Sequence, residues 1–268
     1  MKLEDKTAVV TGAATGLGRA TAIGAAREGA RVVLADIDEA GGEATARQIR
    51  EEGGTAYFLH TDLGRSADVR RLMDTAGERF GRLDILINPA AILLDPATRV
   101  DQYSEETWRR VIDVNLTGSF LLLKYAVPLM EKAGGGVVLL VISGAGVIGG
   151  SSSLPYGSSR GGVRGLVLVA REQLRPLNIR IHAVAPGEMA TNMKLGAIRE
   201  MAEKAGRSVE DAEREVRPGL SPPEDSAARI IDLASDAGAA AGDAVTIFHG
   251  DWDIETHTLR TPSGRRLE

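Results

Sequence analysis

Thr7-Ala8-Val9-Val10-Thr11-Gly12-Ala13-Ala14-Thr15-Gly16-Leu17-Gly18 is the stretch on which the fold turns. An apolar run of strand length, residues 7–10, passes directly into three closely spaced glycines, and a helical pattern over 17–28 follows. Glycines permit a tight turn and let backbone approach a phosphate closely. The helix N-terminus then offers free N–H groups and the positive end of a dipole to a pyrophosphate. Strand, turn and helix in this order is the context that mechanism requires. Gly12, Thr15, Gly16, Leu17 and Gly18 are therefore read as a dinucleotide-binding loop.

Along the rest of the chain, short apolar runs alternate with longer amphipathic ones. Residues 31–35, 56–59, 83–87, 137–142 and 179–184 read as further strands, and 39–52, 66–80, 104–130 and 155–174 as helices. Most of the strands are apolar throughout, the pattern of strands buried on both faces. Steady alternation implies a parallel sheet with right-handed crossovers. The expected architecture is α/β: one Rossmann-type domain over 1–250, with a doubly wound sheet of about seven strands and helices on both faces. Residues 188–222 are a polar, helical insertion after the sixth strand and are expected to form a substrate lid. Residues 251–268 form a polar tail with no assigned role.

Bulk properties narrow the function classes. With 268 residues and a net charge of −5, the chain is large enough for a sizeable core and offers no general attraction to nucleic acid or anionic membrane. It has no cysteine, which excludes disulfides, thiolate nucleophiles and thiolate metal sites. Its four histidines, at 60, 182, 249 and 257, are scattered and none has a partner at metal-ligand spacing, so no metal is expected. The first residues are charged, and no apolar run approaches the ~20 residues of a membrane span. A cytoplasmic protein is the expectation.

The second strand ends at Asp36, 18 positions after Gly18. A carboxylate there accepts hydrogen bonds from adenosine ribose hydroxyls and repels a 2′-phosphate, which favours NAD over NADP. Arg19 is the opposing signal, because a guanidinium can pair with that phosphate.

At this point the chain resembles the short-chain dehydrogenase/reductase family. Thr11–Gly18 has the family's TGxxxGxG spacing, and the likeness runs from residue 5 to about 235. The resemblance implies an adenine contact at Asp62, with Leu63 beside it, and a cofactor-side role for Asn88 in Asn88-Pro89-Ala90-Ala91. It implies Asn115 as the family's helix asparagine, and Ser143 and Tyr156, 13 residues apart, as the reacting pair. Pro186, Gly187 and Thr191 match the segment that holds the nicotinamide carboxamide.

The implied chemistry is hydride transfer between a secondary alcohol or ketone and nicotinamide, with Tyr156 as acid/base and Ser143 positioning the reacting oxygen. Asn115 would hold a water in the proton path. A free phenol deprotonates only near ~10, so such a base needs a neighbouring cation. The family's Tyr-x-x-x-Lys here reads Tyr156-Gly157-Ser158-Ser159-Arg160. Arg160 stands one helical turn from Tyr156 and keeps the charge, together with donors for the nicotinamide ribose, but it does not deprotonate. Pro89 and Ala91 are further departures, as is the segment 245–253, where the family has an Asp-Gly-Gly-like end.

An NAD-dependent alcohol dehydrogenase or ketone reductase is the leading reading. Two others remain open at this stage: a family member that binds NAD without redox turnover, and a lyase or epimerase that reuses the pocket. Leu93-Leu94, Val147-Ile148 and Met189 to Met193 point to a partly hydrophobic substrate. The two long helices carry many apolar residues, among them Val111, Leu116, Phe120, Leu123 and Val127, and Val163, Leu166, Val167 and Val169. A homotetramer or homodimer is expected from that surplus.

Overall fold

A computed structural model describes residues 1–148 and 150–240, and the short strands Val245–Ile247, Trp252–Asp253, Thr258–Arg260 and Arg266–Leu267. In chain order the elements are β1 (Thr7–Thr11), α1 (Gly16–Arg27), β2 (Arg31–Asp36), α2 (Glu39–Glu51), β3 (Thr55–His60), α3 (Ser66–Phe80) and β4 (Ile85–Asn88). There follow α4 (Glu105–Ile112), a π-helical turn (Asp113–Thr117), α5 (Gly118–Lys132), β5 (Gly136–Val141), α6 (Ala145–Ile148), α7 (Leu154–Leu174) and β6 (Ile179–Ala185). The last are α8 (Asn192–Lys204), α9 (Val209–Val216), α10 (Pro223–Ala234) and β7 (Val245–Ile247).

All neighbouring strands of the main sheet pair in parallel, in the order β3-β2-β1-β4-β5-β6-β7. Six strands form the body of this Rossmann-type sheet. The expected count of about seven is reached only by including β7, a three-residue edge strand. The apolar strands are explained by two cores. Val9, Leu86 and Val138 face α3, α5 and α7, while their neighbours Ala8, Val10, Ile85, Ile87, Val137 and Leu139 face α1 and α10. Alternate side chains of one strand thus enter different cores, and neither face is left for water.

The strand order reverses between β1 and β4. In an open parallel sheet the crevice at the carboxyl ends of such a pair is the ligand-binding position. The glycine loop, the segment after β4 and the insertion after β6 all converge there. The insertion is closed at its base by backbone bonds from Ala190 N–H to Ser221 O (3.0 Å) and from Ser221 N–H to Glu188 O (3.0 Å). Its helices α8 and α9 share a small core of Ile198, Ala202 and Ala212.

Candidate active site

The loop after β1 has the conformation its glycines allow. Gly12 and Gly16 have φ of 61° and 51°, a region where most L side chains are strained. A Cβ on Gly18 would stand 2.0 Å from the Gly12 carbonyl oxygen, so only hydrogen fits there. Thr15 precedes α1 without capping it through its side chain, which leaves first-turn N–H groups for a ligand. Asp36 ties the loop to the end of β2. One carboxylate oxygen accepts from Ala14 N–H and the other from Asp38 N–H, both at 2.9 Å. Arg19 is drawn away, its guanidinium donating to Gln48 Oε1 on α2 at 2.6 Å.

A cavity of about 580 Å³ opens above these residues. Gly12, Thr15, Gly16, Leu17, Gly18, Asp36, Asp62 and Leu63 line one end; Ser143, Tyr156, Arg160, Pro186, Gly187 and Thr191 line the other. Residues from eight separate positions along the chain therefore surround one space. Arg110 is a lining residue that sequence reasoning missed. It forms a two-point pair with the Asp62 carboxylate, at 3.1 and 3.2 Å, and Asp62 also accepts from Gly64 N–H at 2.9 Å. Nothing in the pattern of α4 distinguished Arg110 from Arg109, which turns to Glu105.

Asn88 and Asn115 lie beneath the cavity rather than on its surface. Both are buried, and neither lines the cavity. Asn88 accepts from Thr11 Oγ1 and donates to Ser119 Oγ (3.0 Å), and Ser119 in turn donates to the Asn115 carbonyl (2.6 Å). The π-helical turn between α4 and α5 carries Asn115 inward. Its carboxamide accepts from Ile92 N–H at 2.9 Å, donates to Ile92 O at 2.9 Å, and donates to Ser159 Oγ at 3.0 Å. Ser159 Oγ donates to the carbonyl of Tyr156 (2.7 Å). A polar chain thus runs from β1 to the helix that bears Tyr156. Both Asn115 amide protons are taken, while its carboxamide oxygen accepts one bond and keeps a second acceptor site, and the side chain braces the loop after β4 against α7. The internal bonds of the two asparagines follow from burial, because a buried amide must satisfy its donors and acceptor wherever the packing offers partners.

Arg160, on α7, is buried to 1% exposure. One guanidinium nitrogen donates to the carbonyl of Val141, the last residue of β5, at 2.9 Å. The guanidinium carbon lies 5.1 Å from the centroid of the Tyr156 ring, and its Nε is without a hydrogen-bond partner. Ser143 follows β5 and accepts weakly from Ala145 N–H (3.3 Å), which leaves its hydroxyl proton free to be directed elsewhere. The arrangement brings a phenol, a hydroxyl and a permanent cation to one end of a cavity whose other end has the donors and carboxylate suited to a dinucleotide.

On the substrate side, Leu93, Met189 and Met193 line the cavity. Leu94 is partly exposed outside it, and the side chains of Val147 and Ile148 lie outside the described residues. Residues 248–251 and most of the tail to 268 also lie outside them. Among the described residues, no group of three or more His, Asp or Glu side chains is placed to hold a metal ion, and no helix is long and apolar enough to cross a membrane.

Comparison with known proteins places this geometry in context. The model of the short chain dehydrogenase family matches residues 6–202. Trans-4-hydroxycyclohexanecarboxylate dehydrogenase of Sinomonas cyclohexanicum is 36% identical over 249 residues, covering 90% of this chain and 95% of the relative. Cyclopentanol dehydrogenase of Comamonas sp. is 37% identical over 193 residues, covering 72% and 76%. The crystal structure of levodione reductase superposes with a TM-score of 0.84 at 28% identity, covering 92% of this chain and 96% of that one.

Proposed function

The chain belongs to the short-chain dehydrogenase family, and on that premise we propose that it is an NAD-dependent oxidoreductase that interconverts a ring-borne secondary alcohol and its ketone. Relatives that are named dehydrogenases of hydroxycyclohexanecarboxylate and of cyclopentanol support alcohol and ketone redox, and they suggest the ring. The observation that carries the reading is the convergence of Ser143, Tyr156 and Arg160 on the same cavity as the glycine loop and Asp36.

The residues fit a nicotinamide dinucleotide. Gly18 leaves no room for a side chain against Gly12, the first turn of α1 is uncapped, and Asp36 faces the cavity while Arg19 is turned to Gln48. Gly12 to Gly18 would hold the pyrophosphate, Asp36 the adenosine ribose, and Pro186, Gly187 and Thr191 the carboxamide. Asp62, already bound to Arg110, would present its carboxylate edge to the adenine. When bound, the nicotinamide supplies or accepts the hydride.

The chain's own part is to move a proton and hold the reacting oxygen. Tyr156 takes the hydroxyl proton in the oxidation direction and returns it to the carbonyl oxygen in reduction. Ser143 donates to that oxygen and orients it. Arg160 sets a permanent positive charge against the tyrosine ring and, through Val141, holds the end of β5 in register with α7. The insertion carrying α8 closes the substrate end as a lid and excludes water.

The test is a panel of cyclic secondary alcohols and ketones, followed through NADH absorbance. Turnover is expected with NAD. Tyr156→Phe is expected to lower kcat by at least ~10²-fold while NADH affinity stays unchanged. Full activity of Tyr156→Phe would refute the proposed base. NADH binding with no turnover across the panel would favour the redox-silent reading instead.

A further inference from the structure

The charges around the cavity are balanced in a way that bears on which ring substrates it accepts. Among the described residues three cations line it: Arg110, Arg160 and Lys194. Arg110 is held by Asp62. Arg160 is sunk beneath Tyr156 and bonded to the Val141 carbonyl. Lys194, in the first turn of α8, is in close ion-pair contact with Glu188, at the base of the insertion. Both members of this last pair line the cavity at its substrate end, among Leu93, Met189, Met193, Ile198 and Met201.

Resting on the redox reading above, we propose that Glu188 is a specificity-determining residue that restricts the site to uncharged ring alcohols and ketones. A substrate carboxylate would need an available cation to offset the loss of its hydration. Lys194 is already paired, and the more exposed member of that pair is the Glu188 carboxylate, which repels a second anion. A built-in repulsive group discriminates as effectively as an attractive one. A neutral ring has no such conflict, and the methionine side chains adapt to its shape.

The probes are cyclohexanol and cyclohexanecarboxylate for binding to the NADH-loaded protein by calorimetry, and cyclohexanol and 4-hydroxycyclohexanecarboxylate for kcat/KM with NAD. The neutral ring is expected to be preferred in both measurements. Glu188→Gln releases Lys194 and is expected to raise the carboxylate-to-neutral ratio about three- to fivefold at low ionic strength, with the gain shrinking as salt is added. Adding Lys194→Met to Glu188→Gln should remove that gain. A wild-type preference for the carboxylate, or a ratio that Glu188→Gln leaves unmoved, would overturn the proposal. If no ring turns over but the binding ratio shifts as stated, the redox reading falls and the assignment of Glu188 stands.

Discussion

A guanidinium at position 160, buried and with no carboxylate partner among the described residues, is costly to keep. Its contacts, the Val141 carbonyl and the Tyr156 ring, offset part of that cost, and on the proposed mechanism they hold the charge where the phenol exchanges a proton. A lysine there would carry the charge as a compact ammonium that can also pass a proton on. Arg160→Lys is therefore expected to raise kcat or move the pH optimum downward, with NADH affinity changing less than roughly threefold; stopped-flow turnover and fluorescence titration separate the two effects. On the proposed function, Asp36 is the residue that selects NAD over NADP. Asp36→Ala is expected to weaken NADH binding and narrow its advantage over NADPH, read by calorimetry with both nucleotides. Tighter NADPH binding by the unmodified protein would contradict the assignment.

Elements were legible where periodicity was strong. The expected helix over 66–80 is α3, and strands β1, β2, β3, β5 and β6 agree with their expected ranges to within one or two residues. The helix expected over 104–130 is interrupted by the π-helical turn at Asp113–Thr117, which rests on a change of hydrogen-bond pattern that no side-chain pattern announces. The insertion after β6 illustrates what holds an element that lies outside the main cores. Glu213 on α9 bonds Arg217 in the next turn and Arg199 on α8. The bond from Arg217, and then that from Arg199, hold its carboxyl below the ordinary carboxylate range. Because its value is depressed in the folded state, this clamp is present above the ordinary carboxylate value and is lost as pH falls through the depressed one. Glu213→Gln should increase amide exchange over 192–216 by about two- to fivefold at neutral pH, and in acid the unmodified protein should approach the variant.

For the whole molecule, the apolar surplus on the long helices is smaller than the sequence implied. Leu123, Val163 and Val167 are buried in the main core, Val111 is also buried, and Leu116, Val127 and Leu166 are partly covered. Phe120 on α5 remains 48% exposed and Val169 on α7 67%, with Trp108 and Leu168 also partly open. A homodimer or homotetramer is still the expected state, since these exposed apolar side chains lie on the long helices, and Trp108 and Val169 are on α4 and α7, which pack together. Light scattering at micromolar concentration tests it: Phe120→Glu with Val169→Glu should shift the mass towards the monomer, and a monomeric unmodified protein would refute the expectation.

The sheet, the glycine loop and the pairing of Tyr156 with Arg160 on one helix were legible in the sequence, because these rest on local rules. A strand buried on both faces must be apolar throughout, a loop that passes close to its own carbonyl at Gly12 must have glycine at 18, and Tyr156 and Arg160 share a helix face by spacing alone. Only the tertiary structure decided which polar side chains face the cavity and which are consumed in holding it. Asn88 and Asn115 have the same chemistry as ligand-binding amides, yet Thr11, Ser119, Ile92 and Ser159 satisfy them internally. The pairings of Arg110 with Asp62 and of Lys194 with Glu188 are likewise three-dimensional facts. A side chain's partners are set by what packing brings within hydrogen-bond reach, and for residues 48 positions apart no local pattern encodes that distance.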